Sequence, residues 1–198
     1  MRPKVVRLPD RRVWLRVADP AWDDPLDPSH AAGEGGRWNS PGSHPTLYTS
    51  ADIRSALLQI ERMLDGQPAR IDDLGPDAYL LVALTLPARQ DAADAVSDEG
   101  LEALGLPASY PVDPKGAPVR LERCQPVGAA VRARGVRGVW GRSACTVDGR
   151  GRELAWFPAS RRSRARPVWD EPRPLGAWIE ALEWEDIGLP AQPDPEDG

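Results

Sequence analysis

The stretch that decides the fold is a glycine-rich loop, Gly35-Gly36-Arg37-Trp38-Asn39-Ser40-Pro41-Gly42. It is followed by Leu47-Tyr48-Thr49-Ser50 and then by Ala56-Leu57-Leu58-Gln59. The glycines allow the backbone to approach a ligand closely, Arg37 offers a planar charged group that suits phosphate or carboxylate, and Tyr48 can stack or hydrogen-bond. A loop, a short strand and the first turns of a helix in this order predict a pocket.

Chain length and composition favour a single domain. At 198 residues with 41% apolar composition, the chain is long enough to bury a core. We place the domain at residues 11–185 and interpret residues 186–198, which are rich in proline and acidic side chains, as a disordered tail. The net charge of −5 argues against direct nucleic-acid binding, because nucleic-acid binders carry a basic excess.

Motifs for metals, membranes and secretion are missing from the sequence. The two cysteines, Cys124 and Cys145, form no CxxC pair and lie far in sequence from His30 and His44. We therefore predict no metal site and two reduced thiols. No apolar run is long enough to span a membrane, and the amino terminus lacks the apolar stretch of a signal peptide. These observations predict a cytoplasmic protein.

Hydrophobic patterning predicts both strands and helices. Residues 1–10 are interpreted as an exposed lead-in, residues 19–36 as a long loop of the kind used for binding, and the arginine-rich segment 161–166 as a solvated face. Ser50 is a candidate cap for a helix whose apolar face runs from Ile53 to Leu64. The other predicted elements are strands over 13–17, 46–50, 78–86, 136–142 and 153–157 and helices over 98–104 and 126–134.

Four positions of this chain resemble the RES domain, a family named for its arginine, glutamate and serine residues. Arg16, Arg37, Tyr48 and Ser143, the last within Val139-Trp140-Gly141-Arg142-Ser143-Ala144, match the family pattern in order. The resemblance covers roughly residues 13–158. It implies an α+β fold related to ADP-ribosyltransferases, in which a mixed, largely antiparallel sheet with flanking helices holds NAD+ in a cleft between sheet and helix.

The resemblance also implies an activity and a partner. Studied members are bacterial toxins that degrade NAD+ at the nicotinamide–ribose bond, so NAD+ is expected as substrate or ligand and no separate cofactor is expected. A helix-turn-helix antitoxin is the expected protein partner, and an oligomer with it is one expected form. Arg37, Tyr48, Gln59 and Ser143 are the expected catalytic residues. The residues expected to contact substrate are Arg16, Arg37, Trp38, Tyr48 and Ser143.

One position departs from the family. Where the RES pattern has a glutamate, eleven residues after the tyrosine, this chain has Gln59. Glutamine can hydrogen-bond a ribose hydroxyl but carries no charge to oppose a developing cation, and losing such a group costs about 100-fold or more in rate. Glu61 is the alternative carboxylate, although at about 100° per residue it points about 160° away around the helix.

The resemblance to the RES family, together with Gln59 in place of its glutamate, implies three alternative functions. The first is NAD+ degradation by hydrolysis or phosphorolysis. The second is a weakened relative that binds NAD+ or another nucleotide as a regulator, which Gln59 favours. The third is ADP-ribosyl transfer to a protein, in which the same pocket serves a different acceptor. The identity of the acceptor is left open by the sequence.

Overall fold

A mixed, largely antiparallel β-sheet is the centre of the fold. The computed structural model describes residues 2–146, 149–159 and 165–192, and within them the sheet has nine strands. These are β1 (Val5–Arg7), β2 (Val13–Ala18), β3 (Leu47–Ser50), β4 (Leu80–Thr85), β5 (Asp91–Ala95), β6 (Gly138–Arg142), β7 (Arg152–Trp156), β8 (Arg166–Pro167) and β9 (Arg173–Pro174).

The strand order is β1-β5-β6-β7-β3-β2-β4-β8, with β9 also pairing with β4. Only the β5–β6 pair among these ladders is parallel. The helices are α1 (Ser29–Glu34), α2 (Ile53–Met63), α3 (Asp98–Leu104) and α4 (Leu121–Ala133), with single 3₁₀ turns at Ile71–Asp73, Leu175–Ala177 and Trp184–Ile187. This arrangement confirms the predicted α+β class.

Both faces of the sheet are covered by apolar side chains, and β2 is buried along its whole length. Val13 and Leu15 pack into one cluster with Ile60 of α2, whereas Trp14 packs on the opposite face, edge-on to Trp140 of β6 with the ring centroids 5.4 Å apart. A third cluster joins α3 and α4 to β5, β6 and β7. Helix α2 is thereby held over β2 and β3, next to the glycine-rich loop.

Two element boundaries differ from the prediction. The segment 1–10 is more than an exposed lead-in, because Val5–Arg7 pairs with β5 at the edge of the sheet. Ser50 belongs to β3, and α2 is capped instead by Asp52, whose carboxylate accepts a hydrogen bond of 2.6 Å from the Ser55 N–H. A carboxylate that reaches an N–H three residues on satisfies one of the free donors of the first turn.

Helix α4 begins five residues earlier than predicted. It starts at Leu121 and contains Pro126 in its interior, although proline usually opens a helix or breaks it. Packing overrides this local cost, because Cys124, Gly128 and Val131 on one face of α4 are buried. A Cβ added at Gly128 would collide with the backbone of Trp38, so the helix lies directly against the glycine-rich loop.

Packed structure also continues past the predicted domain boundary at residue 185. Ile187 and Leu189 are buried in the cluster beneath α2, and the Val13 N–H donates to Gln192 Oε1 at 3.2 Å. Residues 193–198 of the predicted tail, and 160–164 of the arginine-rich segment, lie outside the described residues. Among the helices of the described part of the chain, none has the length and apolarity needed to cross a membrane.

Candidate functional site

A cavity of about 290 Å³ lies between the glycine-rich loop, α2 and the strands β2, β3 and β7. Its lining includes five of the residues singled out in the sequence, namely Arg16, Arg37, Tyr48, Gln59 and Ser143. They come from three strands or strand ends, one loop and one helix that are far apart in sequence. The structure therefore brings to one place the positions that the family pattern marks.

Tyr48 holds the glycine-rich loop in position. Its hydroxyl accepts a hydrogen bond of 2.8 Å from the Trp38 N–H and donates one of 2.7 Å to Asn39 Oδ1. Burial raises the pKa of Tyr48 above its usual value, so the phenol stays protonated and can keep donating to Asn39. The hydroxyl thus supports the loop, and Tyr48 also lines the cavity.

Arg37 is half-buried and reaches from the loop to α4. Its Nη1 donates to the Val119 carbonyl oxygen at 2.9 Å and lies 3.8 Å from Cys124 Sγ. These contacts orient the guanidinium, which lines the cavity and exerts its charge on Glu153. An arginine held in this way is suited to binding an anionic ligand with little further loss of side-chain freedom.

Arg16 is buried where β2 and β3 separate after pairing at Leu15 and Ser50. Its Nε donates to the Pro25 carbonyl oxygen at 2.7 Å and its Nη1 to the Tyr48 carbonyl oxygen at 3.1 Å. Burial lowers the pKa of Arg16 to about 10, so the side chain remains cationic at neutral pH. Its described hydrogen bonds tie the 19–36 loop to the sheet.

An aromatic wall continues from Arg16. The guanidinium lies over the Trp22 ring, 5.2 Å from its centroid, and Trp22 stacks on His30 with centroids 4.2 Å apart and planes 12° from parallel. All three residues line the cavity. The segment predicted as a binding loop therefore forms one wall, and it contains the short helix α1.

Ser143 lies where the chain leaves β6. Its N–H donates to the Gly151 carbonyl oxygen at 2.8 Å, and its Oγ accepts from the Cys145 N–H at 3.2 Å. Cys145 also lines the cavity, where burial raises the pKa of its thiol to about 11. That thiol is therefore protonated at neutral pH and a poor nucleophile.

Helix α2 presents Gln59 to the cavity, whereas Glu61 is exposed and does not line it. This agrees with the helical phase, which places the two side chains on opposite flanks of the apolar stripe. Glu61, the alternative carboxylate, therefore does not line this cavity. The position expected to carry the family's glutamate is occupied by a neutral amide.

Trp38 was expected to contact substrate, but its ring does not line the cavity. It is fully buried, with its centroid 5.9 Å from that of Tyr110, and it packs in the cluster beneath α4. Its place next to Arg37 in the motif made it a candidate. Both side chains nevertheless act on Glu153, where burial raises the pKa and the charge of Arg37 and the Trp38 side chain lower it.

Glu153 is the cavity residue that sequence reasoning missed. It pairs with Ser50 of β3 and Gly141 of β6, and its Oε2 accepts a hydrogen bond of 3.4 Å from the Ala144 N–H. Burial raises its pKa, opposed chiefly by the charge of Arg37 and also by hydrogen bonds from Ala144 and Ser143. Alternation along β7 could have revealed it, because residues 153, 155 and 157 point to one face.

A second, larger cavity of about 960 Å³ lies on the other side of the sheet, beside Trp14 and Trp140. Two of its arginines are engaged with the protein: Arg7 Nε is 3.0 Å from Asp91 Oδ1, and Arg142 binds Asp98 and three carbonyl oxygens. None of the predicted site residues lines it. Size alone does not make it the better candidate.

Comparisons with known proteins show the family of the chain and a similar fold. The RES domain family matches residues 4–176, and the chain therefore belongs to the RES domain family. A chain of the crystal structure of the M. tuberculosis MbcT–MbcA toxin–antitoxin complex is similar in structure, with a TM-score of 0.69 at 20% identity over 88% of this chain and 90% of that chain. A comparison with curated proteins gave no match. Within the described residues, no group of three or more His, Cys, Asp or Glu side chains could hold a metal ion.

Proposed function

We propose that this protein is a toxin of a toxin–antitoxin pair that binds NAD+ and cleaves its nicotinamide–ribose bond in the cytoplasm. The observation that carries the proposal is the convergence of Arg16, Arg37, Tyr48, Gln59 and Ser143 on one cavity in a chain of the RES family. The cavity is at the lower end of the size of ligand pockets. It would hold one end of the dinucleotide and leave the remainder at its mouth.

The chemistry of the lining suits this substrate. Breaking the bond to nicotinamide places positive charge on the ribose, as in glycoside hydrolysis. Arg37 is permanently charged and suits the pyrophosphate, which guanidinium groups bind in a bidentate manner. The Gln59 amide and the Ser143 hydroxyl can hold ribose hydroxyls or the nicotinamide amide, and the Trp22–His30 wall offers a surface on which a base or pyridine ring can stack.

The direct test is incubation of the purified protein with NAD+, with and without inorganic phosphate. Nicotinamide and the ribosyl product would be followed by chromatography. Release of nicotinamide with free ADP-ribose indicates hydrolysis, and release with a phosphorylated ADP-ribose indicates phosphorolysis. ADP-ribose that stays covalently attached to protein indicates ADP-ribosyl transfer. Absence of nicotinamide release in every condition would contradict the proposal.

Binding without turnover is the second candidate function, and the neutral Gln59 is the observation that favours it. In that case the protein is a regulator or sensor of NAD+ or another nucleotide. Calorimetric titration with NAD+ separates the two, because a sensor binds and releases no nicotinamide.

The proposed protein partner is an antitoxin with a helix-turn-helix domain. The similarity to a chain from a toxin–antitoxin complex supports an antitoxin partner. Co-expression with the product of a neighbouring gene tests it. We expect growth arrest by this protein alone, relief by the antitoxin and co-purification of the two chains. A chain that is harmless when expressed alone would contradict the toxin role.

A further inference from the structure

The cavity contains a carboxylate that the family pattern does not predict at that place. Two carboxylates line the described cavity, Glu34 at the exposed end of α1 and Glu153 on β7. Helix α2 contributes Gln59 instead of an acid, and Glu61 is exposed on another side of that helix. A negative charge near the ribose therefore has to come from an element other than α2.

The sheet places Glu153 in the floor of the cavity. Directly paired residues on neighbouring strands point to the same face, so Glu153 lies beside Ser50 of β3, which also lines the cavity, and beside Gly141 of β6. Gly141 has no side chain, and a Cβ there would lie 3.2 Å from Ala95 Cβ and 3.9 Å from Trp38 Cζ2, so this side of the carboxylate is packed. Helix α2 packs over β3, so that Gln59 and Glu153 reach the same cavity from helix and sheet.

Opposing effects act on the charge of Glu153. Its Oε2 accepts from the Ala144 N–H at 3.4 Å, and the positive charge of Arg37 acts on it across the cavity. Burial alone would favour the neutral acid. A cationic neighbour and a backbone donor oppose that effect, so the pKa of Glu153 is raised less than burial alone would raise it.

We propose that Glu153 supplies the catalytic carboxylate of this site, in place of the residue that α2 lacks, and that Gln59 binds the ribose through its amide. This inference rests on the proposed NAD+ cleavage. The bond between ribose C1′ and nicotinamide N1 breaks, and its electron pair leaves with nicotinamide, which becomes neutral. The Glu153 anion stabilises the positive charge on the ribose. In hydrolysis a water oxygen then bonds to C1′, and the released proton passes to Glu153 and on to solvent.

The test compares Glu153→Gln with the matched control Glu61→Gln on the exposed side of α2. Nicotinamide release from NAD+ would be measured with the NAD+ dissociation constant and the thermal unfolding of each variant. We expect Glu153→Gln to reduce turnover about 100-fold, with affinity changed less than about threefold and the fold intact. Glu61→Gln should retain wild-type turnover. Glu153→Asp, which keeps the charge but withdraws it by one methylene, should fall between wild type and Glu153→Gln.

A rescue experiment makes the assignment specific. In the Glu153→Gln background, Gln59→Glu should restore part of the lost turnover, because it returns one negative charge to the same cavity from the other side. Wild-type turnover in Glu153→Gln would overturn the role of Glu153 and leave the proposed NAD+ cleavage standing. A wild-type protein that releases no nicotinamide would instead overturn the proposed function, and the role of Glu153 with it.

Discussion

Gly36 lies directly against Tyr48: a Cβ added at residue 36 would be 2.6 Å from Tyr48 Oη and 2.7 Å from two ring carbons. The tyrosine can then reach past residue 36 and hydrogen-bond the Trp38 N–H and the Asn39 side chain. The glycine in the motif is therefore explained by a close approach of backbone to ring. It allows one strand residue to fix the loop that carries Arg37.

We expect Tyr48→Phe to destabilise the protein even without ligand. It removes the oxygen that accepts from the Trp38 N–H, and a buried donor left without a partner costs about 1–3 kcal/mol. Denaturant unfolding of the unliganded variant measures this. Tyr79→Phe is the control, because the Tyr79 hydroxyl makes no hydrogen bond within the described residues. Equal stability of the two variants would mean that Tyr48 does not hold the loop.

We expect Gly36→Ala to displace the loop, because its methyl group and the Tyr48 ring cannot occupy the same space. Overpacking of this kind costs about 1–3 kcal/mol, and the displaced Arg37 should weaken NAD+ binding as well. Gly33→Ala, three residues earlier, is the matched control, since a Cβ at Gly33 would meet nothing within 4 Å. Unfolding and calorimetric titration of both variants measure the two effects. Wild-type NAD+ affinity in Gly36→Ala would show that NAD+ binding does not depend on the position of this loop.

We expect Arg37→Ala to weaken NAD+ binding by about 1.5–3 kcal/mol, the range for hydrogen bonds to charged groups. The dissociation constant would rise roughly 10- to 150-fold, as measured by calorimetry. Arg134→Ala, at an exposed position after α4, has the same loss of charge and should bind NAD+ as the wild type does. An unchanged affinity in a folded Arg37→Ala protein would show that this arginine does not bind the dinucleotide.

His44 is expected to make the fold sensitive to acid. The side chain is 9% exposed, with its ring edge-on to Phe157, and burial together with the charge of Arg132 lowers its pKa to about 4. The unfolded chain binds a proton near pH 6.5 and the folded chain does not, so stability is present above pH 6.5 and is lost as the pH falls towards 4. The free energy of unfolding should fall by about 2 kcal/mol over this range, which is less than the full pKa shift implies because solvent screens part of the effect.

The variant His44→Gln separates this effect from other acid-induced changes. It removes the titrating group, so its free energy of unfolding should fall less between pH 6.5 and pH 4 than that of the wild type. Denaturant titrations across this range provide the comparison. Parallel curves for the two proteins would assign the acid sensitivity to other groups.

The sequence was enough to locate the cavity because the elements that form it have local sequence patterns. A glycine-rich loop, a strand ending in tyrosine and an amphipathic helix each have a pattern that short-range physics dictates, and helical phase alone was enough to separate Gln59 from Glu61. Glu153 was missed because its neighbours in the site come from non-local strand pairing, which no local pattern records. The start of α4 was misplaced for a related reason, since tertiary packing against the glycine-rich loop outweighs the local penalty of Pro126.

A second carboxylate at residue 59 is expected to change the pKa of Glu153. Gln59 and Glu153 line the same cavity of about 290 Å³, so Gln59→Glu would place two acids close together. Like charges disfavour ionisation, and the pKa of Glu153, already raised by burial, should rise further. If Glu153 must be charged for nicotinamide release, the acid limb of the pH–rate profile should move about 1 pH unit to higher pH. Glu61→Gln should leave the profile unchanged. Gln59→Glu with faster turnover at every pH and an unmoved acid limb would show instead that the carboxylate this chemistry needs is the one on α2.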